Sequence, residues 1–188
     1  MCGLLFARPQ VPLAEKEIFP EIDYLNARTG PHVHIFVAGC YSKYLPEFSF
    51  PNGLPFRDER SVGRNWNYSD FAFDLLRRDL ESRTSWKYGD GVELLLTNAM
   101  RNQRAVQIDL QKARTIGRIQ QVAQIIGSMA NYCESHPGDD PTWGFSDSMG
   151  LSIGRSSLWH LLLSFLPEGV RSDADTARLF VTVNLKKK

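Results

Sequence analysis

The stretch His32-Val33-His34-Ile35-Phe36-Val37-Ala38 decides the fold that this sequence predicts. Apart from its two histidines the stretch is apolar throughout, and Gly39-Cys40 ends it. A short apolar run without regular polar alternation is typical of a strand that is covered on both faces. We therefore expect residues 32–38 to lie in the middle of a sheet, with any chemistry placed at the ends of that strand.

The residues before this strand predict one more strand and a helix. Gly3 to Ala7 is a short apolar run, and the stretch from about Leu13 to Ala27 carries apolar residues at helical spacing. Pro20 is compatible with that helix if it falls in the first turn, where backbone N–H groups lack intrahelical partners. Strand, helix and strand with short joints form a βαβ unit, whose strands are parallel.

The residues after the strand continue this alternation. Residues 41–67 combine turn-forming prolines and glycines with interspersed aromatics, and we expect a long aromatic-rich loop that lies over the body. Periodicity beyond the loop predicts a helix, two antiparallel strands, two helices and a closing strand, in this order: 69–83, 92–97, 104–110, 115–134, 153–166 and 178–185.

The predicted fold class is α/β, with residues 1–188 in a single domain. We expect a mixed, largely parallel sheet that is covered by helices on its faces. The first seven predicted elements follow the β-α-β-α-β-β-α order of thioredoxin-like proteins, and a helix and a strand are added at the C-terminus. The similarity is one of element order, since the sequence contains no Cys-x-x-Cys redox motif.

Composition limits the environment and the partners. The 188 residues carry a net charge of +1, which gives no electrostatic reason to expect nucleic acid or an anionic membrane as partner. Cys2, Cys40 and Cys133 are widely spaced and odd in number, so neither a disulfide framework nor a zinc ribbon is expected. No signal peptide pattern is visible, and a reducing cytoplasm is the expected location.

Met1-Cys2-Gly3-Leu4 resembles the start of class II glutamine amidotransferases. The resemblance implies that the initiator methionine is removed and that the amine of Cys2 serves as the base for its own thiol. It covers four residues, and the family's His-x-Arg-Trp stretch is absent from this chain. The alternative interpretation is that Cys2 is a small apolar residue at the start of a strand.

His32 and His34 are the candidate metal ligands. Residues two apart on a strand point to the same face, which allows two imidazoles to share one transition metal ion. The opposing interpretation is a histidine at the solvated start of the strand, and no Asp or Glu stands at an obvious ligand spacing. We expect no cofactor, and the metal stays open as an alternative.

Two classes of function follow from these patterns. The first is a non-catalytic interaction or regulatory domain that binds a protein partner or forms a homo-oligomer, without nucleic acid or membrane. The second is a small thiol- or metal-dependent enzyme with its pocket at the carboxyl end of the 32–38 strand, where ligands bind in open α/β sheets. Its candidate catalytic residues are Cys40, Tyr41 and Arg28.

Overall fold

A computed structural model describes part of the chain: residues 2–28, 30, 33–44, 59–97, 104–115, 121–122, 125–127, 130–131 and 180–184. Within these residues the fold is α/β and contains two sheets, one of five strands and one of three. The predicted helix at 153–166, His32, Cys133 and most of the 41–67 loop lie outside the described residues. The expectation of a single domain over residues 1–188 stays a prediction.

The larger sheet has five strands in the order β2 (His34–Val37), β1 (Cys2–Phe6), β6 (Glu93–Thr97), β7 (Arg104–Asp109) and β8 (Phe180–Asn184). Only the neighbouring pair β1 and β2 is parallel, while the other three neighbouring pairs are antiparallel.

This sheet corrects the prediction in two respects. A mixed sheet with a βαβ unit is confirmed, but the expectation of a largely parallel sheet is wrong, because β6 and β8 enter as antiparallel neighbours. The expectation that residues 32–38 lie in the middle is also wrong in the described part of the chain, where β2 is the end strand. His34 and Phe36 are exposed, whereas every residue of β6 is buried.

The segment between β1 and β2 is helical, as predicted, but it is not one regular helix. Ala14–Ile18 is wound as a π-helix, Phe19–Glu21 as a 3₁₀ turn, and only Ile22–Ala27 (α1) is α-helical. Pro20 lies in the tight turn, where its missing N–H removes one bond from the regular pattern. The predicted apolar stripe is confirmed, since Ile18, Ile22 and Leu25 are all buried.

The second sheet lies at the ends of the predicted loop. It consists of β3 (Cys40–Ser42), β4 (Glu59–Ser61) and β5 (Trp66–Ser69) in the order β3-β5-β4, with both pairings antiparallel. The described ends of the 41–67 segment are therefore ordered strands rather than loop. Because these three strands interrupt the predicted succession of elements, the thioredoxin-like order is not confirmed and stays a prediction.

The helix α2 (Asp70–Arg83) follows β5 directly, and Ser69 caps it by accepting a hydrogen bond from the Ala72 backbone N–H at 3.2 Å. Helical spacing predicts an apolar stripe through Phe71, Leu75, Leu76 and Leu80. That prediction is wrong in part, because Phe71 and Leu75 are exposed and Phe73 is the fully buried residue of this helix. Leu76 and Leu80 pack against the core as expected.

The hairpin of β6 and β7 is antiparallel, as predicted, and leads into the short helix α3 (Leu110–Thr115). In the predicted helix 115–134, the described residues 122, 125–127, 130 and 131 are helical. Val122, Ile125 and Ile126 join the same core as β1 and β6. No helix in the described ranges is long and apolar enough to cross a membrane.

Candidate functional site

A cavity of about 290 Å³ opens between α1, β2 and the second sheet. Its walls are mostly aliphatic or aromatic, and none of the described lining residues carries a charge. The described lining consists of Ile22, Leu25, Asn26, Ile35, Phe36, Val37, Cys40, Tyr41, Ser42 and Trp66. Ligand pockets typically span about 300–1,000 Å³, so this one is large enough for a single compact group.

Gly39 explains why the cavity lies at this place. The chain leaves the larger sheet at Val37 and enters the second sheet at Cys40, and Gly39 makes the turn with φ +81°. A Cβ atom at Gly39 would lie 2.8 Å from the Tyr68 ring and 2.9 Å from the Ser69 carbonyl oxygen. Only glycine tolerates both the positive φ and this close approach, so the junction of the two sheets is fixed here.

Cys40 and Tyr41, two of the predicted site residues, both line this cavity. Arg28, the third, is engaged elsewhere. Its guanidinium stacks over the Tyr24 ring at 5.0 Å and donates a hydrogen bond to the Asn131 side chain at 3.0 Å. Arg28 is absent from the described lining, so the structure brings together two of the three residues.

The Cys40 thiol is not activated in this setting. Burial raises its pKa to about 12, because a thiolate would lose its hydration in this apolar wall. Reactive cysteines have the opposite character, with a pKa lowered by a nearby positive charge or a helix N-terminus. Cys40 therefore carries a neutral thiol near pH 7 and contributes a small apolar surface to the cavity.

The remaining sequence candidates are not gathered into a site. His34 is exposed on β2, with its ring stacked 6.2 Å from that of Phe36. Within the described part of the chain, no group of three or more His, Cys, Asp or Glu side chains could hold a metal ion. Cys2 is a free, half-buried thiol in β1 whose pKa is raised by burial and lowered to a lesser extent by the terminal amine.

Trp66 and Asp23 are the residues that the sequence analysis missed. The indole Nε1 of Trp66, in the cavity wall, donates a hydrogen bond to Asp23 Oδ1 at 2.7 Å. Asp23 is exposed, and no cation among the described residues pairs with it. The signal in the sequence was weak, since the two residues are 43 positions apart and neither belongs to a motif.

A buried carboxylate, that of Glu93, lies at the same end of the larger sheet as the carboxyl end of β2, because Glu93 pairs with Phe6 of β1 and Val37 pairs with Leu5. Glu93 is only 3% exposed, yet its carboxylate accepts three hydrogen bonds. The donors are Trp86 Nε1 at 2.9 Å, the Gly89 backbone N–H at 2.7 Å and Gln107 Nε2 at 3.0 Å. Burial raises the pKa of Glu93 despite these donors. These bonds fasten residues 86–89 to β6, the central strand of the larger sheet.

Comparisons of this chain with protein-family models, with curated proteins and with solved structures found no match. Function is therefore inferred from the geometry and chemistry of the cavity.

Proposed function

We propose that the protein is a non-catalytic interaction domain, and that the cavity beside Cys40 is where it binds an apolar-bodied group of a partner protein. The observation that carries the proposal is the cavity itself, with an uncharged and mostly apolar lining at the junction of two sheets. Concave, mostly apolar sites with a few polar groups are the usual form of binding sites.

The chemistry of the wall supports binding rather than catalysis. A nucleophilic cysteine needs a base or a positive charge nearby, and the raised pKa of Cys40 indicates neither. Asn26, Tyr41 and Ser42 are lining residues whose polar side-chain groups can orient a ligand by hydrogen bonding. A partner side chain inserted here would act as an anchor, as the central residues of protein interfaces do.

The volume limits what the cavity can hold. An apolar cavity of about 150 Å³ holds a benzene molecule. A cavity of about 290 Å³ therefore has room for one bicyclic ring or one branched aliphatic group, but not for an extended cofactor.

The proposal is tested by calorimetric titration of the whole chain with indole, a neutral probe of suitable size. Asn26 is exposed on α1 and lines the cavity, so Asn26→Trp should cover the entrance with little effect on the core. Arg78→Trp, on the exposed side of α2, is the matched control. We expect saturable binding to the parent chain and to Arg78→Trp, and a loss of at least tenfold in Asn26→Trp. Equal binding by both variants, or no binding by the parent chain, would refute the proposal.

A small thiol-dependent enzyme is the second candidate, because Cys40 and Tyr41 do share the cavity at the carboxyl end of β2. The two functions differ in the reactivity of Cys40. In a chain that retains Cys40 but has Cys2 and Cys133 replaced by alanine, alkylation by iodoacetamide at pH 8 should be at least ten times slower than in a free peptide. Alkylation as fast as in the peptide would favour the enzyme.

A further inference from the structure

The cavity wall is apolar, but its aromatic rings and a neighbouring carboxylate also give it negative electrostatic potential. Three of the described lining residues are aromatic, namely Phe36, Tyr41 and Trp66, and no described lining residue is cationic. The faces of aromatic rings carry negative electrostatic potential and attract cations, most strongly for tryptophan. A carboxylate, Asp23, stands directly beside this wall.

The contact between Trp66 and Asp23 strengthens this character. An indole N–H that donates to a carboxylate at 2.7 Å makes a charge-assisted hydrogen bond, which polarises the ring and raises the electron density on its face. The negative charge of Asp23 is not neutralised by any cation among the described side chains. The cavity wall therefore has an electron-rich ring, with a carboxylate beside it that pairs with no cation in the described part of the chain, and both favour a cationic ligand.

The form of the cation follows from the mostly apolar character of the wall. A lysine ammonium is compact and strongly hydrated, so a largely apolar wall would remove most of its water, although Asn26 and Ser42 offer acceptor oxygens. A methylated ammonium keeps the charge, loses its donors and presents an apolar surface. Its apolar stem would suit the aliphatic wall formed by residues such as Ile22 and Leu25.

We propose that the cavity beside Trp66 takes a methylated lysine side chain of a protein partner, with its cation against the aromatic wall and near the Asp23 carboxylate. This inference rests on the proposed function and names the chemistry of the group that is bound. The charge of Asp23 and its hydrogen bond from Trp66 favour a cation, and the largely apolar wall favours the methylated form of that cation.

The test compares capped trimethyllysine with its neutral isostere, in which carbon replaces the ammonium nitrogen, and with capped lysine. We expect trimethyllysine to bind the full chain at least tenfold more tightly than either, because only it is both charged and free of N–H donors. Asp23→Asn should weaken trimethyllysine binding about threefold and leave the isostere unchanged. Asp90→Asn, at an exposed position whose φ of 60° asparagine tolerates, is the charge-matched control.

The outcomes separate this inference from the proposed function. Equal affinity for trimethyllysine and the isostere would overturn the cation preference, while leaving a binding cavity in place. Choline binding as tightly as trimethyllysine would overturn the assignment to a protein side chain. If none of these probes binds but indole does, the inference fails alone, and if indole also fails to bind, the proposed function fails with it.

Discussion

Two tryptophan–carboxylate pairs in this molecule have the same chemistry but different surroundings. Trp86 donates to Glu93 at 2.9 Å and Trp66 donates to Asp23 at 2.7 Å. Glu93 is buried and accepts two further hydrogen bonds, whereas Asp23 is exposed and its one described donor is Trp66. The first pair holds the core together, and the second leaves a charge available beside a cavity.

Burial and the number of hydrogen bonds accepted distinguish a structural carboxylate from one that is available for binding. A buried carboxylate is tolerated only when donors replace its lost hydration, so its oxygens are occupied. An exposed carboxylate keeps its water and can exchange it for a ligand. Substitutions at the buried carboxylate should therefore affect stability, and substitutions at the exposed carboxylate should affect binding.

Removing the carboxylate of Glu93 should have the largest effect on the free energy of unfolding. Glu93→Ala leaves the three donors from Trp86, Gly89 and Gln107 without an acceptor in a buried place. We expect the free energy of unfolding to fall by about 3–4 kcal/mol, as measured by urea denaturation. Glu93→Gln keeps the shape and one acceptor oxygen, so its loss should be smaller. A loss below about 1 kcal/mol for Glu93→Ala would show that the cluster is not a structural fastener.

Stability should be nearly as sensitive to a substitution at Gly39, where the two sheets join. In Gly39→Ala the new Cβ meets the Tyr68 ring at 2.8 Å and the Ser69 carbonyl at 2.9 Å, in a backbone with φ +81°. The expected loss is about 2–3 kcal/mol from strain and overpacking. Gly63→Ala is the control, because its nearest contact is 3.2 Å and its φ lies outside the positive range. Similar losses for both variants would contradict the role given to Gly39.

The pH dependence of stability should report on the buried carboxylate of Glu93. The pKa of Glu93 in the folded chain lies above its ordinary value of 4.5, because burial disfavours the charge. As pH falls from neutral towards 4.5, the folded state takes up this proton before the unfolded state does, so protonation stabilises the fold.

The parent chain should therefore gain stability relative to Glu93→Gln, which cannot ionise, as pH falls through the folded pKa. Above that pKa the difference between the two chains should be constant. Urea denaturation of both proteins at a series of pH values measures it. A difference that moves in the opposite direction would mean that the three donors outweigh desolvation.

The smallest effect on stability is expected at Asp23, the exposed carboxylate. Asp23→Asn keeps an acceptor for the Trp66 indole and removes a charge that solvent already screens. The free energy of unfolding should change by less than about 0.5 kcal/mol, as measured by urea denaturation. A loss near that of Glu93→Ala would make Asp23 a structural group and remove the reason to regard it as available for binding.

Much of the fold could be predicted from hydrophobic periodicity. The βαβ unit of β1 and β2, the capped helix α2 and the hairpin of β6 and β7 all follow from local patterns. The order of strands could not be predicted, because it is set by long-range pairing. The apolar run Leu94-Leu95-Leu96 fits the centre of a sheet as well as residues 33–38 do, and it is β6 that is buried there.

The place of the cavity could be expected from the sequence, but not all of the residues that line it. The carboxyl end of β2 and the residues Cys40 and Tyr41 follow from the general rule for ligand positions in α/β sheets. The opposite wall comes from α1 and from β5, and Trp66 of β5 reaches the cavity because β3 pairs with β5. Short antiparallel strands within a stretch rich in prolines and aromatics give little local signal, so the contribution of Trp66 required the structure.

The most direct test of the account is a chemical-shift map of the isotope-labelled chain during titration with indole. We predict that the backbone amides of Ile35, Val37 and Cys40 and the indole N–H of Trp66 shift progressively and saturate, while the indole N–H of Trp86 does not move. Shifts centred on Trp86 and Glu93, or none at saturating indole, would contradict the assignment of the cavity as the binding site.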